Sequence, residues 1–110
     1  MNLNIVRLET FTKDVKRLYK KYKKLPNDLE TLSEELRKNP KVGIDLGSNC
    51  YKLRLANSSI PTGKSGGFRV VYYYYDTEEN LYLMTMFSKK EMEFISDEEV
   101  MELLKKYNLN

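Results

Sequence analysis

Four cations, Lys52, Arg54, Lys64 and Arg69, lie between Asp45 and Asp76 in a stretch that contains no carboxylate, with Gly63, Gly66 and Gly67 among them. A run of positive side chains without internal counter-charge suits a polyanion. The chain has no histidine, so acid or base chemistry would fall to Lys, Arg, Tyr, Asp or Glu rather than to the residue that titrates near neutrality. Together these features point to phosphate, and to RNA as its carrier.

The spacing sharpens that reading. Along residues 50–56, Tyr51, Leu53 and Leu55 point one way while Cys50, Lys52, Arg54 and Ala56 point the other. Arg69 is in phase with Val71, Tyr73 and Tyr75 and out of phase with Phe68, Val70, Tyr72 and Tyr74. If these two strands pair, Lys52, Arg54 and Arg69 converge on one face, and Lys89 and Lys90 border it just past the last strand. Such a cluster would grip a phosphodiester. Alternation of apolar and charged residues is also what a solvated antiparallel sheet shows; the clustering and the missing acids favour binding.

Around this set, Lys64 sits on a glycine-rich loop whose backbone N–H groups can approach a phosphate closely. It is not a nucleotide-binding phosphate loop, because Ser58 stands where that pattern needs glycine and a strand, not a helix, follows. Tyr73 or Tyr75 would offer stacking surfaces to unpaired bases, with Tyr72 and Tyr74 turned to the core. Lys16, Lys20 and Lys23 belong to a strongly basic helix side that is a solvated face by itself and, beside a phosphate groove, a sequence-independent second contact with folded RNA. One cysteine, no histidine and scattered acids give no reason to propose a metal or cofactor. Cys50 reads as a plain strand residue, without a histidine to activate it or a second cysteine to pair with.

These residues must be positioned by one domain, residues 1–110, long enough to bury its own core. A hydrophobic content of 41% with 32% charged residues is that of a folded chain. No apolar run approaches a membrane span or signal core, so the expected address is the cytoplasm, with no membrane partner. The net charge of +3 conceals an asymmetry: from Glu91 onward six acids face two lysines. Basic surface and acidic C-terminal segment are therefore expected on different faces.

Residues 2–8 alternate as a first strand. Thr10 or Thr12 is expected to cap a helix with Phe11, Val15, Leu18, Tyr19 and Tyr22 on one stripe, ended by Leu25-Pro26. Asn27 or Asp28 would open a second helix carrying Leu29, Leu32 and Leu36, stopped at Asn39-Pro40. After Gly43 the period changes to 2: a strand at 50–56, a polar loop at 57–67, and strands at 68–75 and 81–87 joined by turn residues 76–80 into an antiparallel hairpin. Ser96 and Glu99 form a capping box for a last helix buried through Val100, Leu103, Leu104 and Tyr107. The order strand, helix, helix, three strands, helix makes an α+β domain, with helices on one face of a mainly antiparallel sheet and the other face partly open.

The strings Cys50-Tyr51-Lys52-Leu53-Arg54-Leu55, Gly63-Lys64-Ser65-Gly66-Gly67-Phe68-Arg69 followed by tyrosines, Leu83-Met84-Thr85-Met86-Phe87-Ser88-Lys89-Lys90, and Ile95-Ser96-Asp97-Glu98-Glu99 resemble the RelE/HigB toxins of bacterial and archaeal toxin–antitoxin systems. The resemblance covers most of the chain. It implies a RelE-like fold, an N-terminal helical hairpin and a C-terminal helix packed on the sheet, and a ribosome-dependent messenger-RNA endonuclease held in check by a cognate antitoxin, a small helix-turn-helix protein. It implies a catalytic set of Lys52, Arg54, Arg69 and Lys90, which the charge pattern also selects; beside that set, Lys64, Lys89, Tyr73, Phe87, Lys16, Lys20 and Lys23 are the expected substrate contacts. Phe87 stands where such toxins often have tyrosine, and the last helix lacks the catalytic tyrosine some carry near Ser96, which leaves the general acid unassigned. Two other functions stay open: a non-catalytic RNA-binding or inactivated relative, and the gyrase-inhibiting ParE-like branch, whose members generally lack the basic cluster.

Overall fold

Apolar residues change their period from 2 to 3.6 and back along the chain, and each change is an element boundary. The computed structural model describes residues 3–61, 63–75 and 79–109. Strand β1 (Asn4–Arg7) leads into helices α1 (Glu9–Tyr19) and α2 (Leu25–Lys38). Strands β2 (Ile44–Gly47), β3 (Cys50–Leu55), β4 (Phe68–Tyr74) and β5 (Asn80–Ser88) follow, and helix α3 (Asp97–Lys106) closes the order. The five strands form one sheet in the order β1-β5-β4-β3-β2, with β1 parallel to β5 and every other pair antiparallel. None of the described helices is long and apolar enough to cross a membrane.

The two sheet faces bury different partners. Tyr51, Leu53 and Leu55 of β3, with Phe68, Val70 and Tyr72 of β4, pack against Phe11 and Leu18 of α1 and Leu25, Leu29, Leu32 and Leu36 of α2. On the opposite face, Cys50, Val71, Met84 and Phe87 pack against Val100 and Leu104 of α3. Helices thus lie on both faces, which corrects the expectation of one open face. The cause is in the strands: Val71, Met84 and Phe87 are apolar on the side assigned to solvent, and leaving them wet would forgo about 1.5–3 kcal/mol each. A bulge in β5 adds to this, since Val71 pairs with Thr85 and Tyr72 with Leu83, leaving Met84 as the extra residue that turns into the second cluster.

Local chemistry moves two expected boundaries and adds one strand. Leu8, not a threonine, is the N-cap of α1 and makes no side-chain cap bond; the Thr10 hydroxyl is instead spent on the Met84 carbonyl. Leu25-Pro26 opens α2 rather than ending α1, with proline in the first turn where its missing N–H leaves no bond unmade. The short edge strand β2 escapes periodicity altogether; it exists because Gly47, Ser48 and Asn49, at φ +86°, +51° and +64°, fold it back onto β3 in a tight turn. The Asn39 stop and the Ser96–Glu99 capping box are where the sequence put them. Of the turn expected at 76–80, residues 76–78 lie outside the described residues.

Candidate nucleic-acid interface

Strand pairing builds the site. In the β3/β4 ladder Arg54 stands opposite Arg69 and Lys52 opposite Val71, and in the β4/β5 ladder Phe87 stands beside Arg69. Arg54, Arg69 and Phe87 therefore make one row across three strands, and Lys52 is the next residue of β3 on that face. Like charges directly opposed in a sheet are unfavourable. Among the described residues neither arginine forms an ion pair with a carboxylate; the ion pairs seen there are Lys13–Glu9, Arg17–Asp14 and Arg17–Glu91.

Arg69 is only 5% exposed, and its guanidinium is held by neutral groups. It donates to the carbonyl oxygens of Ser65 at 3.0 Å, Lys64 at 3.3 Å and Phe68 at 3.4 Å. Lys64 and Ser65 belong to a single 3-10 turn, Lys64–Gly66. The loop can press onto β3 because residue 67 is glycine: a Cβ there would lie 2.2 Å from the Leu55 carbonyl oxygen and 2.9 Å from the Asn57 nitrogen. Burial pulls the Arg69 pKa down, the neighbouring Arg54 pulls it further, and Glu93 opposes both. An arginine nevertheless stays charged near neutrality, so the row presents positive charge whose buried member is hydrogen-bonded to backbone dipoles.

The remaining expected residues divide into groups. Lys64 contributes its carbonyl to Arg69 and leaves its side chain exposed. Lys89 and Lys90 are exposed on the turn after β5, whose Lys89 N–H donates to the Gly67 carbonyl at 3.1 Å. Lys90 lines two depressions, one with Ile60, Pro61, Gly66 and Lys89 and one with Arg17, Lys21, Tyr22 and Glu91, neither of which includes Arg54 or Arg69. Phe87 is buried under α3, so it walls the row rather than offering a ring to a base. Tyr73 is half-buried one rung beyond Lys52, its ring 6.2 Å from that of Tyr82. Tyr72 and Tyr74 are core residues, as their phase required. Lys16, Lys20 and Lys23 are exposed on the helical hairpin, which packs on the other sheet face from the arginine row; the Lys23 ammonium sits 4.8 Å from the Tyr19 ring centroid.

Sequence reasoning missed Glu93. It treated the acids from Glu91 onward as one patch remote from the basic surface, whereas Glu91 is paired with Arg17 and Glu93 acts on Arg69. The available signal was the pattern Met92-Glu93-Phe94-Ile95: Met92 and Ile95 pack into the second cluster, which turns Glu93 and the 68% exposed Phe94 outward. Among the described residues no three His, Cys, Asp or Glu side chains gather as metal ligands; the charges that gather are cations, suited to an anion.

A family model for the RelE toxin of the RelE/RelB toxin–antitoxin system matches residues 9–108. Among solved structures, the chain is similar to an arginine-to-alanine double mutant of E. coli toxin RelE in the free state, at 19% identity and a TM-score of 0.57 over 84% of this chain and 90% of that one. It is similar to the isolated E. coli RelE toxin in its P21 form at 18% identity and 0.56, over 96% and 98%. The double mutant in complex with a RelBc antitoxin peptide gives 18% identity and 0.55, over 93% of each chain. At these identities the structural likeness concerns the fold.

Proposed function

The chain belongs to the RelE toxin family, and from that premise we propose that it is a metal-independent endonuclease that cuts messenger RNA in the decoding site of the ribosome. The observation that carries the reading is the in-register pair Arg54–Arg69, neither of which forms an ion pair with a carboxylate among the described residues. Two guanidiniums one strand apart match the oxygens of a phosphodiester and are held together at an electrostatic cost that an anion relieves.

In the proposed reaction the substrate supplies its own nucleophile. The ribose 2′-OH attacks the adjacent phosphorus, the 5′ oxygen of the next nucleotide leaves, and the products are a 5′-OH and a 2′,3′-cyclic phosphate, which water can then open to a 3′ phosphate. Arg54 and Arg69 would neutralise the extra charge of the phosphorane. Lys52, on the same face, would take the 2′-OH proton, and Lys90, on the turn anchored to Gly67, would give one to the leaving oxygen. Alignment of the message by the ribosome would supply much of the rate. The cognate antitoxin, a small helix-turn-helix protein on this reading, would silence the toxin by covering the arginine row, and the working compartment would be the cytoplasm.

Purified protein with programmed ribosomes should cut message in EDTA at levels that spare the ribosome, and Arg69→Ala should abolish cutting while leaving the far-UV circular dichroism unchanged. Message left whole in every such assay would overturn the proposal. One observation favours a second reading, a non-catalytic RNA-binding relative: Lys90 lines depressions that exclude the arginine row. RNA retained on a filter but never shortened would support it, and inhibition of supercoiling would support the gyrase-directed branch.

A further inference from the structure

Arg17 joins a polar network at the end of β5, where its Nη2 also donates to the Met86 carbonyl oxygen at 3.4 Å. Its fork binds Glu91 through two bonds, Nε to Oε2 at 2.8 Å and Nη2 to Oε1 at 3.2 Å, and its Nη1 binds Asp14 Oδ1 at 2.7 Å. Asp14 uses its other oxygen to accept the Thr85 hydroxyl at 2.6 Å and the Met86 N–H at 3.0 Å. Glu91 in turn accepts the Ser88 N–H at 2.9 Å, and the Ser88 hydroxyl accepts the Glu91 N–H at 3.3 Å. The turn tied down in this way carries Lys89 and Lys90, and its far side is bonded to Gly67. Gly67 closes the loop whose carbonyls hold Arg69. A continuous chain of hydrogen bonds thus runs from α1, through the turn, to the glycine loop.

Stability alone does not account for this arrangement. The Arg17 and Glu91 side chains are 47% and 36% exposed, and an ion pair that wet is worth at most about 1 kcal/mol. What a bidentate fork supplies beyond energy is direction, because two parallel bonds fix the orientation of the carboxylate as well as its distance. Here the carboxylate is itself the clasp of the turn.

We propose that Arg17 is a positioning residue for RNA cleavage: through Glu91 it sets the place of Lys89 and Lys90 relative to the loop that cradles Arg69. The role rests on the nuclease reading above. Arg17 touches no part of the row itself. Its effect is carried by the turn, which explains why a helix packed on the other sheet face sends one arginine to the end of β5.

The test uses the full chain with programmed ribosomes, comparing wild type, Arg17→Ala, Arg17→Lys and Glu91→Gln at a temperature where unfolding curves show each variant fully folded. Amide exchange is followed at Lys89 and at Val70 in the core. The expected result for Arg17→Ala and Glu91→Gln is a kcat lower by about tenfold to a hundredfold, a KM within about twofold of wild type, and faster exchange at Lys89 but not at Val70. Arg17→Lys, with one ammonium in place of the fork, should recover the charge and only part of the rate. An unchanged kcat in Arg17→Ala, or a loss accompanied by equally faster exchange at Val70, would overturn the positioning role while leaving the nuclease reading intact. Message left whole by wild type would overturn the nuclease reading, and this role with it.

Discussion

Arg54 and Arg69 face each other across β3 and β4, one exposed and one buried, with backbone carbonyls accepting hydrogen bonds from the buried partner. Replacing Arg54 with alanine should relieve the repulsion, raising stability by about 0.2–1 kcal/mol in urea unfolding. The same variant should bind single-stranded RNA more weakly and lower the slope of log affinity against log salt by about 0.7, the share of one phosphate contact. A less stable Arg54→Ala protein with an unaltered salt slope would mean that the pair is structural.

Gly67→Ala tests the loop that holds Arg69. The added methyl would meet the Leu55 carbonyl at 2.2 Å and the Asn57 nitrogen at 2.9 Å, and both neighbours are backbone atoms that cannot rotate away. A loss of at least about 1–3 kcal/mol is expected from such overpacking, read from the urea midpoint. Faster amide exchange should be strongest at Lys89, whose N–H bonds to the Gly67 carbonyl. A variant as stable as wild type would show that the loop can lift from β3, and with it the carbonyl cradle of Arg69.

Much of this architecture was legible in the sequence where one force dominates. Period 2 in β3 and β4 placed Lys52, Arg54 and Arg69 on a common face because side chains on a strand must alternate, and Ser96 with Glu99 announced α3 through paired local bonds. What was not legible depends on partners far along the chain. That α3 covers the arginine face is decided by Val71, Met84 and Phe87 finding Val100 and Leu104, and the bulge that redirects Met84 exists only in the register with β4. The role of Glu91 could not be read from its position among other acids, since its partner Arg17 lies 74 residues earlier.

Tyr107→Phe probes the attachment of α3. The Tyr107 hydroxyl accepts the Thr10 N–H at 2.9 Å and donates to the Thr10 hydroxyl oxygen at 3.2 Å, joining the end of α3 to the first turn of α1. Removing it leaves a helix N-terminal N–H without that acceptor, at a cost of about 1 kcal/mol. The measurement is denaturant unfolding, combined with amide exchange. Exchange should quicken along α3 and leave β4 untouched; a uniform change across both elements would show that α3 is not held as a separate unit.

The Arg17–Glu91 clasp also sets a pH dependence. Burial pushes the Glu91 carboxyl up, but the Arg17 fork and the Ser88 amide outweigh it and leave the group below the ordinary glutamate value. A carboxylate with a depressed folded pKa contributes stability that is fully present above its unfolded value, about 4.3, and disappears as pH falls through the lower folded value. Arg17 stays cationic over that range, held further toward its charged form mainly by the hydrogen bonds it donates to Glu91. Unfolding free energies of wild type and Arg17→Ala should therefore differ by at most about 1 kcal/mol above pH ~5, given how exposed the pair is, and the difference should shrink steadily below pH ~4 as Glu91 is protonated. Urea titrations of the two proteins across that interval supply the check. A gap that stays constant down to the most acidic point would show that the pairing of Glu91 with Arg17 contributes nothing to stability in solution.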